Sequence, residues 1–181
     1  GAGTLGGRGR GVIDGLTRRD PRVLLTLTMS KALGAYGGAV LGPKWLRERA
    51  PLHSGIHSGS TPLPPPWAAG ALASLERLRT NGTELRARLR KNVLSVKEAF
   101  RASHPGWLDR PGPTFSVALR DPQSQRRFRR ALLVAGIYPT LIRYRNGPAD
   151  AFFRFAISSE HTQGQLLALR DVLAGFSGEF L

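Results

Sequence analysis

The run VLLTLT, Val23 to Thr28, is apolar and β-branched without strict alternation, the pattern of a strand covered on both faces. GGAVLG, residues 37–42, predicts a second short strand, with glycines where backbone passes close to a neighbour. Pro43 suits the first turn of a brief helix running to Arg49. HSGSTPLPPPWAAG then reads as a loop tightening into a proline-rich helix entry. From Trp67 to Phe100 the pattern turns helical. Leu72, Leu75, Leu78, Leu85, Leu89, Val93, Val96 and Phe100 recur at threes and fours, with Gly82 weakening the middle, so one long helix or two in sequence are both open.

Beyond the turn residues of SHPGWLDRPGP, residues 114–119 predict a strand. Asp121 and Pro122 form a cap followed by a residue that needs no donor, and Phe128, Leu132 and Leu133 supply an apolar stripe up to Gly136. IYPTLI and FFRFAIS are strand-like, and Thr162 with Gln165 has capping-box spacing for a last helix carrying Leu166, Leu169, Val172, Leu173 and Phe176. The expected organisation is residues 1–66 as one part of a larger α/β domain, 67–100 as connecting helix, and 101–181 as a small α+β domain. Two adjacent strands do not make the sandwiched parallel sheet that their composition implies, so further strands are expected beside them.

The composition removes several functions. The chain has no cysteine and only four scattered histidines, which excludes disulfide and thiolate chemistry and argues against a zinc cluster, and predicts no bound metal and a cytoplasmic setting. No run approaches the length of a membrane span and no basic-then-apolar leader opens the sequence. The net charge of +15 would suit a polyanion, but the arginines are dispersed and no nucleic-acid-binding motif accompanies them, so an acidic protein partner is the expected match. The opening GAGTLGGRGRG holds six glycines in eleven residues, which is costly in backbone entropy unless other surfaces hold it.

Among 27 basic residues only Lys31, Lys44, Lys91 and Lys97 are lysines, and Lys31 stands between the first strand and a glycine cluster in TLTMSKALGAYGGAVLG. A lysine amine forms a Schiff base with an aldehyde, which a guanidinium does not. The competing reading is a solvated lysine at a strand end. Nearby glycines and the hydroxyls of Thr28 and Ser30 favour a phosphorylated cofactor, since backbone N–H groups and hydroxyls satisfy phosphate oxygens.

GTLGGRGRG at residues 3–11, TMSKALGAYGG at 28–38, STPLPP at 60–65 and FFRFAISSEHT at 152–162 together resemble the α-oxoamine synthases of the fold-type I pyridoxal-phosphate enzymes. That branch includes 8-amino-7-oxononanoate synthases and 2-amino-3-ketobutyrate ligases. The resemblance covers nearly the whole chain but only the C-terminal half of such an enzyme. It implies an α/β fold, the PLP-dependent transferase fold type I, with the C-terminal part of the large domain followed by the small domain. The family's Asp-Glu-Ala-His segment has no counterpart here, so a split or cleaved enzyme is expected, completed by a complementary N-terminal chain and forming a dimer of such pairs.

As the resemblance implies, Lys31 carries pyridoxal 5'-phosphate and moves protons at the substrate α carbon, while Thr28, and less directly Ser30, contact the phosphate. Ser60 and Thr61 match hydroxyls that reach the phosphate of a neighbouring subunit; ordinary turn hydroxyls are the other reading. Arg143 in LIRYRNGP matches the arginine that grips the substrate carboxylate by two parallel hydrogen bonds, with Arg145 its rival in register. Arg154 in FFRF reads as a strand arginine facing solvent or a carboxylate, and His161 as part of a helix-start turn.

The activity implied is condensation of an amino acid with an acyl thioester, on coenzyme A or an acyl carrier. GPTFSVAL and IRYRNGP stand where these synthases commonly show other motifs, which leaves the acyl donor open. Transamination shares Lys31 and the carboxylate arginine, and decarboxylase or aldolase chemistry is also open. A basic scaffold retaining the fold is the reading from another class.

Overall fold

The computed structural model describes residues 2–16, 20–101, 103–110, 112–144 and 151–181. The chain divides into two compact units, Gly1–Leu85 and Arg86–Leu181, with the division falling inside one helix.

In the first unit β1 (Leu25–Thr28) pairs antiparallel with β2 (Gly38–Leu41), Leu25 opposite Leu41 and Thr28 opposite Gly38. The sequence expects further strands beside this pair, and cover on both faces would come from them. Leu25 and Leu27 are half-buried, Thr26 and Thr28 are exposed, and Val40 and Leu41 remain open. The reason is topological: a nine-residue excursion over residues 29–37 returns the chain beside itself, and among the described residues β2 is the only strand paired with β1. Gly38 permits the pairing, since a Cβ there would stand 3.1 Å from the Leu27 carbonyl oxygen.

α1 (Lys44–His53) starts one residue later than expected, with Pro43 as its cap, and runs past Arg49 despite Pro51 in its last turn. It buries none of its residues, which is why its apolar spacing was a poor guide to its end. α2 (Pro65–Lys97) is one continuous helix, closed by a 3-10 turn at Glu98–Phe100. Gly82 does not break it and is buried there.

The second unit holds a three-stranded antiparallel sheet in the order β3-β5-β4, with β3 at Thr114–Val117, β4 at Leu141–Ile142 and β5 at Phe152–Ala156. Alternation in FFRFA sends Phe153 and Phe155 into the core and leaves Arg154 exposed, its N–H donating to the Thr140 carbonyl. β4 is shorter than IYPTLI suggested, because Pro139 has no N–H to give a ladder. β3 stops at Val117, and Leu119 instead forms an isolated bridge with Phe180.

α3 (Pro122–Val134) and α4 (Gln163–Gly175) cover the sheet. Phe128 of α3 is fully buried and meets Phe153 edge-on at 5.0 Å and Phe176 at 5.1 Å. Val93, Val96 and Phe100 at the end of α2 join the same core. Each such apolar side chain contributes about 1.5–3 kcal/mol when removed from water. Both helix starts are capped as the sequence predicts. Asp121 accepts from the Gln123 and Ser124 amides, and Thr162 with Gln165 forms the reciprocal capping box. Among the described residues no helix is long and apolar enough to cross a membrane.

Candidate active site

The end of β1 delivers Thr28, Ser30 and Lys31 into a tight excursion. The Met29 amide donates to the Gly37 carbonyl at 2.9 Å, and the Ala35 amide donates back to the Met29 carbonyl at 3.0 Å. Inside that frame the Gly34 amide donates to the Lys31 carbonyl at 3.0 Å, closing a turn in which Gly34 takes φ +57°. The turn is anchored from below: Leu33 and Ala35 are buried, and Ser74 of α2 donates its hydroxyl to the Leu33 carbonyl at 2.7 Å.

On the open side the Thr28 and Ser30 hydroxyls lie 2.8 Å apart, and the Ser30 amide donates to the Thr28 oxygen at 3.3 Å. Both are exposed. Lys31 is exposed, and its Nζ makes no hydrogen bond or ion pair among the described residues. The loop thus offers one uncommitted amine and a pair of hydroxyls within three residues of chain.

The glycine-rich opening segment packs beside this turn. A Cβ on Gly3 would stand 2.9 Å from the Ala32 Cβ, and Gly3 has φ +81°. Gly3 could not be replaced by a larger residue without displacing Ala32, the residue that follows Lys31, and Gly6 could not without displacing Asp14. The segment is held by Asp14, which sequence reasoning missed. Its carboxylate accepts from the Arg8 amide at 3.2 Å and from Arg10 Nε at 3.2 Å. The Arg8 amide, above all, holds the Asp14 carboxyl below the usual aspartate value; burial opposes it, and Arg10 adds to the lowering. The Arg10-to-Asp14 spacing in RGVID was the available signal.

Ser60 lies in the loop before α2, where its hydroxyl donates to the Ile56 carbonyl, and Thr61 is exposed. Among the described residues no hydrogen bond joins either to Thr28, Ser30 or Lys31. Arg143 follows β4 in the second unit, exposed and without an ion pair among the described residues. Arg145 lies outside the described residues. Arg154 is exposed and reaches the Tyr144 hydroxyl at 3.5 Å. His161 sits in the helix-start turn, its Nδ1 accepting from the Ser158 amide at 3.2 Å. Among the described residues no group of three metal-ligating acidic or histidine side chains comes together.

The sequence pattern of the aminotransferase class I and II family matches residues 2–173. The chain belongs to that family. An 8-amino-7-oxononanoate synthase from Pseudomonas putida is 32% identical over 177 residues, which is 96% of this chain and 45% of that protein. The structure superposes on an SPT solved as its PLP internal aldimine with a TM-score of 0.82 and 27% identity, over 98% of this chain and 45% of that one. It matches an 8-amino-7-oxononanoate synthase from Francisella tularensis with a TM-score of 0.75 and 25% identity, over 98% of this chain and 52% of that one. The fold is therefore that of the α/β fold-type I enzymes, related to the 8-amino-7-oxononanoate synthases and serine palmitoyltransferases. The chain spans less than half the length of the curated relatives it matches.

Proposed function

We propose that this chain carries the lysine-bearing part of a pyridoxal-phosphate transferase that joins an amino acid to an acyl thioester, in the manner of the α-oxoamine synthases. One observation carries the reading: an unpartnered primary amine at Lys31 stands one residue beyond a hydroxyl pair at Thr28 and Ser30, in the TMSKALGAYGG turn. The donor set fits the cofactor, since an aldehyde needs a free amine and a phosphate needs hydroxyl or amide donors. Lys31 would hold the cofactor; Thr28, with Ser30 beside it, would receive the phosphate.

When bound, the cofactor supplies an electron sink for negative charge at the substrate α carbon. The chain's own residues supply the rest. Lys31 takes and returns the proton at that carbon once its amine is free. Arg143 receives the substrate carboxylate by two parallel hydrogen bonds, fixing which α bond is aligned for cleavage; Arg145 is the other arginine in that stretch. Ser60 and Thr61 serve the phosphate of a neighbouring subunit. A complementary chain with the Asp-Glu-Ala-His segment completes the site, in a dimer of such pairs.

The test is made on the assembled protein. Borohydride reduction followed by peptide mass spectrometry should place the pyridoxyl group on Lys31, and thiol should be released only when amino acid and acyl thioester are both present. Keto-acid formation without a thioester would replace condensation by transamination, which uses the same residues. Labelling of any other lysine would overturn the assignment.

A further inference from the structure

α3 carries Arg126, Arg127, Arg129 and Arg130 and no acidic residue. Arg127 is neutralised from outside the helix by Glu179 at 2.7 Å. Arg126, Arg129 and Arg130 are exposed, and among the described residues none has an ion pair or hydrogen-bonded partner. Like charges three and four residues apart repel on a helix surface, so this arrangement opposes the helix it sits on. The macrodipole does not account for it, because the last turn of α3 holds no basic residue.

Arg129 lines a cleft of about 350 Å³ together with Tyr138, Pro139, Thr140 and Leu141. The cleft forms because Gly136, at φ +73°, turns the chain sharply after α3 and sends it back along the helix toward β4. Tyr138 is 84% exposed, an unusual state for a large ring, and its hydroxyl has no partner among the described residues. The Thr140 hydroxyl is likewise uncommitted, its carbonyl being used by the Arg154 amide. Pro139 is buried and fixes the segment between them. One wall therefore presents a guanidinium and two hydroxyl donors, and with them an aromatic face and an aliphatic Leu141.

We propose that this cleft binds a nucleotide phosphate, with the phosphate on Arg129 and the Thr140 hydroxyl and the base against the Tyr138 ring. A guanidinium and a hydroxyl are the donors that phosphate oxygens take, and a bare aromatic ring is the surface on which a planar base stacks. Arg126 and Arg130 add a cationic surround that raises the local concentration of the anion. The proposal is independent of the pyridoxal-phosphate reading, and cofactor is absent from its test.

The experiment is calorimetric titration of the 181-residue chain, together with its complementary segment where that is needed for solubility, using ADP, inorganic phosphate and coenzyme A as separate probes. ADP should bind saturably at one site. Arg129→Ala should weaken it by about tenfold or more, as loss of a charge-assisted contact does. Tyr138→Ala should weaken ADP while leaving inorganic phosphate unchanged. Both side chains are exposed, so circular dichroism should match the parent, and Arg129→Gln provides a second reading of the same contact. Arg47→Ala, an exposed arginine on α1, controls for bulk charge. Coenzyme A contains the same ADP unit: tighter binding than ADP with the same Arg129 dependence identifies the handle of a thioester carrier, and weaker binding identifies a free nucleotide. Absence of saturable ADP binding, or equal losses from Arg129→Ala and Arg47→Ala, would overturn the site.

Discussion

The Ser74 hydroxyl donates to the Leu33 carbonyl at 2.7 Å, tying the third turn of the long helix to the backbone two residues after Lys31. Leu33 is buried, so without that donor its carbonyl has little water to replace it. Ser74→Ala should cost about 1 kcal/mol and loosen the turn that carries the amine. Urea denaturation checks the stability. The yield of borohydride-trapped pyridoxyl on Lys31 checks the positioning, and Ser74→Thr, which keeps the hydroxyl, should restore the yield where a packing defect would not recover.

Lys31→Arg separates charge from chemistry. The side chain is exposed and makes no contact that the fold depends on, so stability should change by less than about 0.5 kcal/mol. A guanidinium does not form the carbon–nitrogen link with an aldehyde, so the visible absorbance of the bound cofactor and the trapped adduct should both vanish. Retention of either by the arginine variant would remove Lys31 from its proposed role.

Asp14 sets the acid limit of the opening segment. Its folded pKa is depressed, so its contribution to stability is fully present above the ordinary aspartate value of 3.8 and is lost as pH falls through the lower folded value. The Arg8 amide, which donates to Asp14, should therefore lose protection against exchange with solvent deuterium as pH falls below 3.8, beyond what the intrinsic pH dependence of exchange accounts for. Asp14→Asn should show weakened protection already at neutral pH and no further acid-dependent step. An unchanged acid profile in the variant would mean that another carboxylate holds the segment.

How much of this was readable beforehand follows the range of the forces involved. Caps are local, so Asp121 and Thr162 announced α3 and α4 within a few residues. FFRFAIS reads as a strand for the same reason, and β5 occupies Phe152–Ala156 within it. The cover on the two faces of β1 is not legible in VLLTLT, because strand burial depends on what lies beside the strand and the run carries no record of its neighbours. The motif around Lys31 was visible as a spacing of Thr, Ser, Lys and Gly, whereas the support for it was not: Ser74 lies 41 residues from its acceptor and looks like any helix serine. The role of Asp14 was not legible because the Arg8 amide reaches its carboxylate only through the turns that the glycines make.

Lys97 is another of the chain's four lysines, and a contact explains it. It is 2% exposed at the end of α2, where its Nζ donates to the carbonyls of Arg110 at 2.7 Å and Gly112 at 3.0 Å. A compact ammonium reaches two carbonyls at once where a planar guanidinium would need a wider space. Burial, first, and the nearby Arg110 charge lower its pKa from the ordinary 10.5. For a cation whose folded pKa is depressed, the charged form opposes folding below the folded value, and that opposition disappears as pH rises toward 10.5. Stability should therefore climb across that alkaline window in the parent protein. Lys97→Met fills similar volume but leaves both carbonyls without a donor, which should cost about 1–3 kcal/mol at neutral pH. It should also abolish the alkaline rise, so the two proteins should differ more at pH 10 than at pH 7 by urea denaturation. Parallel pH profiles would show that folding does not lower the pKa of Lys97, and would overturn the prediction.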